Sequence, residues 1–498
     1  MNDFLEPFPT PSSDVIAVIG GGFSGTLVAV NLASAVGDRP LRVVLFERAA
    51  RFARGVAYGT SSAQHLLNVP AAMMSALVDE PGHFLAWLQA RDPRAQAGTF
   101  APRRLYGEYL EELLAHAAAL GRTTIELVRD EVVDLRPCNS GAAFFVTCRS
   151  GVSRRADRVV LALGNPRPED VVECPEELRD SRKYIGNSWD HGVLDGLGRK
   201  DHLVLLGASL SAVDVIVEAG AQHFKGPITV ISRHGLMPQR HRFLAAHPVA
   251  PVDATASRTA LGLFRYLRRE AVRCEAEGGD WRLVVDALRP SIAGIWRAFG
   301  RAEKERFIRH LGSHWDVHRH RIAPEIDHVL DDARREGQLT VIAGRVRSLA
   351  NRDDGAAITL IRRGGSNVET LVAQRIINCT GPARSLRAGR SPLLDALFDR
   401  GLGRPDPLAL GLDVTESGAL IAADGTISER MFALGPILKG QLWETTAVRE
   451  LRVQAHELAR YLMTPKAELQ PVARADTVIP NQRVLPGGWP ANPLEKSA

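Results

Sequence analysis

Residues 15–19 (VIAVI) form the first sustained apolar run, and residues 26–35 continue with small and aliphatic side chains at helical period. Residues 41–47 (LRVVLFE) read as a second strand that ends in an acid. Together they predict a βαβ unit. Amphipathic helical spacing follows over 81–90 and 103–120 (RRLYGEYLEELLAHAAAL), then short strands over 125–163. A second unit opens at 203, with a helix over 211–219 and a strand over 227–233 (PITVISR). Helical periodicity dominates 257–335, and strand patterning returns from 340. Beyond 466 several prolines and the lack of a sustained period predict an extended tail. No repeat of solenoid length occurs.

This order predicts an α/β fold with two Rossmann-like dinucleotide-binding domains and a helical insertion, one domain set inside the other. The expected boundaries are 1–195 and 336–465 for a first dinucleotide-binding domain in two parts, assigned to FAD on the motifs and the resemblance given below. Residues 196–335 would be an NAD(P)-binding domain, carrying the helical insertion at 257–335, and 466–498 the tail.

A chain of 498 residues is long enough for more than one core. Its charge of +5 is slight, and no nucleic-acid motif accompanies it, so nucleic acid is not expected as a partner. At most it favours anionic small molecules. Cys138, Cys148, Cys174, Cys274 and Cys379 are scattered without a C-x-x-C pair, which suits a reducing cytoplasm and argues against disulfide reduction. The acidic, Pro-rich start lacks a signal peptide's basic and apolar regions, and no apolar run approaches the ~18 residues of a membrane span. A cytoplasmic protein without a membrane partner is expected.

The motifs sharpen the picture. GGGFSG sets Gly20, Gly22 and Gly25 in G-x-G-x-x-G spacing directly after the first strand. Gly20 permits the tight turn, Gly22 lets backbone N–H groups approach a pyrophosphate, and Gly25 lets the helix pack on its strand. Phe23 and Ser24 open that helix, whose positive end faces phosphate. Glu47, followed by Arg48, stands where a carboxylate can accept bonds from ribose hydroxyls. In the second turn, LLGASLSAVD, the same three positions are Gly207, Ser209 and Ala212. Its next strand ends in Ser232 and Arg233, which suit a 2′-phosphate and so NADPH, with NADH as the alternative. A plain surface arginine is the other reading of Arg233.

Two segments, 156–168 with Gly164 and 373–385 with Thr380 and Gly381, each run from a β-branched strand into Gly and Pro. They match the crossings between domains in two-dinucleotide flavoproteins, or else are ordinary strand-turns. After Gly435 a helix is expected to start near Thr445 and Thr446, either aimed at the pyrimidine end of a flavin or simply packed. His314, His318 and His320 with Asp316 tempt a metal reading. Strand-like spacing would separate them, and no cysteine or Glu joins them, so no metal is expected; a cationic surface or a polar helix end remain.

The segments VIGGGFSGTLVAVNL, RGVAYGTSSAQHLLNVPAAMMSA, YIGNSWD, LLGASLSAVDV, SRHGLMPQRH, HWDVHRHRIAP and GQLWETTAVRELR together resemble the bacterial FAD/NAD(P)-binding proteins related to the L-aspartate N-monooxygenases, over about 14–463. The resemblance implies that 54–60 and 65–70 line the FAD, with Gly55 and Gly59 allowing close approach, Tyr58 and Asn68 offering polar tips, and Val69 beside them. Each is individually readable as structural, as are Asn187 and Trp189. Known relatives oxygenate small polar nitrogen compounds, and hydroxylation of purine-like rings belongs to the wider class.

Two such turns imply hydride transfer from a mobile NADPH to a fixed FAD. The expected activity is an FAD-dependent, NAD(P)H-using monooxygenase that hydroxylates a small amine or other nitrogen-containing metabolite through a flavin hydroperoxide. That chemistry demands no protein nucleophile, metal or acid–base dyad, and no catalytic residue is assigned. The missing F-x-G-x-x-x-H-x-x-x-W signature argues against ketone oxygenation. A flavin reductase or dehydrogenase, or a nucleotide-binding protein without turnover, are the alternatives. The partner is a small-molecule substrate, and a homo-oligomer is left open.

Overall fold

The computed structural model describes residues 14–35, 40–121, 123–244, 258–383, 385–386 and 391–464. The tail expected over 466–498 lies outside them.

Asp14–Ile19 is buried along nearly its whole length, as a central parallel strand covered on both faces must be. It lies in a six-stranded sheet ordered Ala419–Ile421, Ile427–Ala433, Arg158–Leu161, Asp14–Ile19, Leu41–Phe46, Thr123–Val128. Pairing is parallel except at the Ala419–Ile421 edge. Helices Phe23–Ser34, Arg103–Ala119 and Val448–Met463 supply Leu27, Tyr106, Leu110, Leu451 and Leu458 to the core on one face. A three-stranded antiparallel sheet, Val132–Pro137, Phe144–Cys148 and Ser153–Ala156, covers the other with helix Pro392–Asp399.

The second sheet has seven strands, ordered Val368–Ala373, Gly355–Arg362, Leu339–Arg352, Ile228–Ser232, Leu203–Leu206, Arg375–Asn378, Tyr184–Ile185. Leu339–Arg352 pairs parallel with Ile228–Ser232 and, farther along, antiparallel with Gly355–Arg362. Helices Leu210–Ala221 and Pro324–Arg335 pack together on one face through residues such as Ile216 and Leu330.

This pairing corrects the boundaries read from the sequence. The four strands over 339–378 belong to the second sheet, not the first, and so does Tyr184–Ile185. Among the described residues the chain returns to the first lobe at Leu386 and stays there from 391 onward. Strand propensity says that a segment pairs, whereas the choice of sheet rests on burial against distant side chains. The helical segment also divides. Pro324–Arg335 is the crossover helix of the second sheet, while Ala260–Ala276, Trp281–Ala287, Ile292–Ala298 and the turns up to Arg319 form a separate cluster around Trp296 and Phe307. That cluster packs on the C-terminal segment: Trp296 lies 4.5 Å from Trp443, ring to ring, and its indole N–H donates to the Gly440 carbonyl at 2.9 Å. No helix among the described residues is long and apolar enough to cross a membrane.

Candidate functional site

Gly20 takes φ +105°, and a Cβ there would lie 2.2 Å from the Ala162 carbonyl oxygen, so only glycine fits. Its N–H donates to the Phe46 carbonyl at 2.9 Å, and Ala162 N–H donates to Ile19 at 2.8 Å. Gly22 is the N-cap of Phe23–Ser34 and has no side chain to satisfy the first helical amides. Gly25 does not line the cleft; a Cβ on it would meet the Gly20 carbonyl oxygen at 1.9 Å, so it serves helix–strand packing. Glu47 Oε2 accepts from Gly21 N–H at 2.9 Å and Oε1 from Ala49 N–H at 2.8 Å, which fixes the carboxylate at the strand end with lone pairs to spare.

The second turn repeats this arrangement. Gly207 has φ +106°, and its Cβ would lie 2.5 Å from the Cys379 carbonyl oxygen. Gly207 N–H donates to Ile231 at 2.8 Å, and Cys379 N–H to Leu206 at 2.7 Å. Ser209 is the N-cap of Leu210–Ala221, and its hydroxyl does not cap the helix. Ala212, fully buried behind the turn, stands where Gly25 stands in the first. Gly164 and Gly381 follow the two abutting carbonyls, with φ +68° and +79°.

Both turns open into one cleft of about 3980 Å³. Gly20, Gly22, Phe23, Ser24, Glu47 and Arg48 line it, as do Gly55, Tyr58, Asn68 and Val69. So do Gly164, Asn187, Trp189, Gly207 and Ser209 from the second lobe and the crossings, together with Ser232, Arg233, Thr380, Gly381 and Thr446. A pocket for one drug-sized ligand is roughly 300–1,000 Å³; this one holds several times that.

Some expected roles change. Tyr58 packs its ring against Tyr106 (4.7 Å) and Phe23 (6.0 Å), and burial raises its phenol pKa, so it acts more as wall than as polar tip. The C-terminal helix starts at Val448 with Ala447 as N-cap, not near Thr445. Thr445 is buried and donates its hydroxyl to the Gly435 carbonyl at 3.2 Å, so it is committed beneath the wall. Gly435 does not line the cleft either; its φ of +88° lets the segment close on Ser24, whose Oγ a Cβ would meet at 2.9 Å. Thr446, Ala447, Val448 and Arg449 face the cleft instead.

Around Arg233 the structure assembles cations that the sequence reading did not join. Arg345, from the long strand Leu339–Arg352, lines the cleft with Arg233 and His234. Burial, then the charges of Arg363, His314, Arg233 and Arg345, hold His234 below its ordinary value. The histidine-rich segment is helical, Gly312–Arg319, so His314 and His318 are one turn apart rather than split as in a strand. His318 Nδ1–H donates to the His314 carbonyl at 2.7 Å, and its ring meets Trp281 edge-on at 4.8 Å. Among the described residues no cluster of His, Cys, Asp and Glu is suited to a metal.

The two lobes are tied across the cleft. Arg103 Nη1 donates to Asp214 Oδ2 at 2.8 Å, with only 11% of either side chain exposed. His65 Nε2 lies 3.1 Å from the Asp214 carbonyl oxygen. His241 Nε2–H donates to the Asn68 carbonyl at 2.9 Å, and burial lowers the His241 pKa to about 4, so the ring is neutral. A signal for Asp214 exists in the sequence: it is the one early acid in the apolar helix LSAVDVIVEAGA. Nothing local marks Arg103 as its partner.

The helical cluster and the C-terminal segment build the remaining wall. Arg289 makes a bidentate pair with Glu450 (2.6 and 2.8 Å) and Arg321 one with Asp286 (2.8 and 3.0 Å). Arg319 Nε lies 3.0 Å from Glu444 Oε2, but its N–H is not aimed at that oxygen. Glu444 Oε1 accepts from the Trp315 indole at 2.7 Å. Burial would raise the Glu444 carboxyl, but His320, Arg319, Trp315 and Arg289 together hold it low.

Residues 17–166 match the family model described as FAD-NAD(P)-binding. No curated protein matches the chain in sequence. Among solved structures, the chain is similar to the Kutzneria sp. 744 ornithine N-hydroxylase with reduced FAD, NADP+ and L-ornithine, at 14% identity and TM-score 0.61, covering 90% of this chain and 98% of that one. It is similar to L-lysine 6-monooxygenase from Pseudomonas syringae at 15% identity and TM-score 0.62, with 90% and 99% covered. It is also similar to the FAD-bound cadaverine monooxygenase of desferrioxamine biosynthesis from Erwinia amylovora, at 13% identity and TM-score 0.63, with 96% and 100% covered. Residues 17–166 are thus an FAD-NAD(P)-binding domain, in a chain with the two-lobed α/β fold of these flavoproteins.

Proposed function

We propose that the protein is an FAD-dependent, NADPH-using monooxygenase that hydroxylates the nitrogen of a small amine. The observation that carries this reading is the pair of turns at Gly20 and Gly207, equivalent bond for bond and opening into the same cleft. The fold's likeness to three amine hydroxylases supports the choice of reaction.

The residues present fit both dinucleotides. For FAD, the amides after Gly22 offer donors to a pyrophosphate and Glu47 offers free lone pairs to ribose hydroxyls, while the Gly22 and Gly55 backbones pack so closely that a Cβ on either would lie 3.3 Å from the other's Cα. Ala447, Val448 and Arg449 at the C-terminal helix start line the cleft, where their amides would meet the flavin's pyrimidine end. For NADPH, the Ser209 turn holds the pyrophosphate, and Ser232, Arg233 and Arg345 take the 2′-phosphate. Bound, FAD supplies the two-electron and oxygen chemistry and NADPH the hydride.

The chain's own work is positioning and exclusion. Arg103–Asp214 and His241–Asn68 fix the spacing of the lobes, on which hydride transfer depends at the ångström level. The helical cluster closes the remaining side and keeps bulk water from the reacting atoms. We place the enzyme in the cytoplasm, where its five unpaired cysteines remain reduced.

The test is direct. The purified protein should be yellow, NADPH should bleach it without oxygen, and a hydroxylamine should form in step with NADPH consumption. Steady peroxide without hydroxylated product would make it a reductase instead.

A further inference from the structure

A line of aromatic rings crosses the first lobe from the cleft to the surface. Tyr58 lines the cleft, Tyr106 and Tyr109 are buried in the core behind it, and Trp87 is partly exposed beyond them. Ring centroids lie 4.7 Å apart from Tyr58 to Tyr106, 5.5 Å on to Tyr109 and 5.6 Å on to Trp87. Helical spacing builds the line. Tyr106 and Tyr109 are three apart on Arg103–Ala119, and His83 and Trp87 are four apart on His83–Gln89, so each pair shares a face.

Packing alone explains rings in a core, but not the placing of their polar atoms. The Tyr106 hydroxyl is buried without a partner, where phenylalanine would fill the same space and leave no unmet group. What tyrosine adds there is a ring that gives up an electron more readily. Tyr109 has an acceptor for its proton: its oxygen accepts from Ala76 N–H at 3.3 Å, and its own hydrogen is directed at His83 Nδ1, 2.9 Å away. Burial pushes the Tyr109 phenol up to about 12, so that proton leaves only together with an electron. Trp87 has an acceptor too, since its indole N–H donates to Glu112 at 2.8 Å. Arg91 lies 3.7 Å over the Trp87 ring, which disfavours a positive indole and makes the proton acceptor necessary. The two outer members of the line thus pair an oxidisable ring with a base. Tyr106, which has none, is a bridge between Tyr58 and Tyr109.

We propose that Tyr58, Tyr106, Tyr109 and Trp87 form an electron route from the protein surface to the FAD seat, through which a thiol in solution reduces FAD excited by blue light. This rests on FAD occupying the cleft, as read above. Tyr109 yields one electron through Tyr106 and Tyr58 to the excited cofactor, and its proton crosses to His83. Trp87 then gives an electron to Tyr109, which recovers its proton from His83, while the indole proton passes to Glu112 and on to water. The thiol returns a hydrogen atom to Trp87, and two thiyl radicals so formed couple to a disulfide.

The experiment illuminates the FAD-loaded full chain with blue light, without oxygen or NADPH, and reads protein radicals by electron paramagnetic resonance. The native chain should show a neutral tryptophanyl radical. Trp87→Phe should lose it and show a tyrosyl radical instead, and adding His83→Gln should suppress that tyrosyl signal. Tyr109→Phe should lose the tryptophanyl signal although Trp87 is intact. With dithiothreitol present, light should bleach the native chain and leave Trp87→Phe coloured for longer. Bleaching by NADPH in the dark should be equal in both, which shows that the variant folds and keeps its cofactor. The proposal is overturned by a native chain without the tryptophanyl signal, or by a tyrosyl signal indifferent to His83→Gln. It is equally overturned by a tryptophanyl signal that survives Trp87→Phe, and so sits on another indole such as Trp189 in the cleft wall. A chain that takes up no FAD overturns the earlier reading as well, whereas FAD uptake and dark bleaching without a radical overturn this one alone.

Discussion

Gly20 and Gly207 hold the same backbone conformation, φ +105° and +106°, and each lies against the carbonyl of a residue that hydrogen-bonds back to the strand before it. The two turns are therefore separable by parallel substitutions. Gly20→Ala forces a Cβ to 2.2 Å from Ala162 O and should yield a colourless protein. Gly207→Ala, whose Cβ would reach 2.5 Å from Cys379 O, should stay yellow while losing most anaerobic bleaching by NADPH. The strain alone is about 1–3 kcal/mol at each. Absorbance at the flavin band and stopped-flow reduction read the difference.

Asp214→Asn should strand Arg103 between the lobes. Breaking a pair this buried costs about 3 kcal/mol, whereas replacing both partners with leucine should cost less. Urea unfolding of the single and double variants checks the order.

His241 makes stability depend on pH. Its folded pKa, about 4, lies below the ordinary 6.5 because of burial and Arg321 and Arg282, with Asp286 and the bond to Asn68 opposing. The unfolded chain thus takes up the proton first as pH falls, and stability contributed above about pH 6.5 is lost progressively down to about pH 4. The loss approaches about 3 kcal/mol at most. Urea midpoints between pH 7.5 and 4.5 should show a shallower fall in His241→Gln than in the native chain.

Arg233→Ala should lower the preference for NADPH over NADH by roughly 10- to 100-fold in kcat/KM, because a charged hydrogen bond to the 2′-phosphate is lost. The rate with NADH should change little. Raising the salt concentration should weaken NADPH more in the native enzyme than in the variant.

Much of the first site was legible because its determinants are local. A glycine at positive φ, a small residue at a helix start and an acid closing a strand all leave their mark within one βαβ unit, and Gly20, Gly22, Glu47 and Gly207 stand where that logic puts them. Thr445 misled because a threonine before an amphipathic helix reads as a cap, while here its hydroxyl is taken by Gly435, ten residues back. The histidine segment misled because its period was taken as a strand's, and packing of His318 on Trp281 holds it as a helix.

By itself the sequence determined two strand-to-helix turns, since the steric freedom that Gly20 and Gly207 supply needs no distant partner. The tertiary structure alone decided that the strands over 339–378 join the second sheet, that Arg103 meets Asp214, and that Arg319 rests beside Glu444 with donors unmet. Those outcomes depend on burial and charge pairing between residues far apart in the chain, and no local pattern encodes which distant surface will be there to meet them.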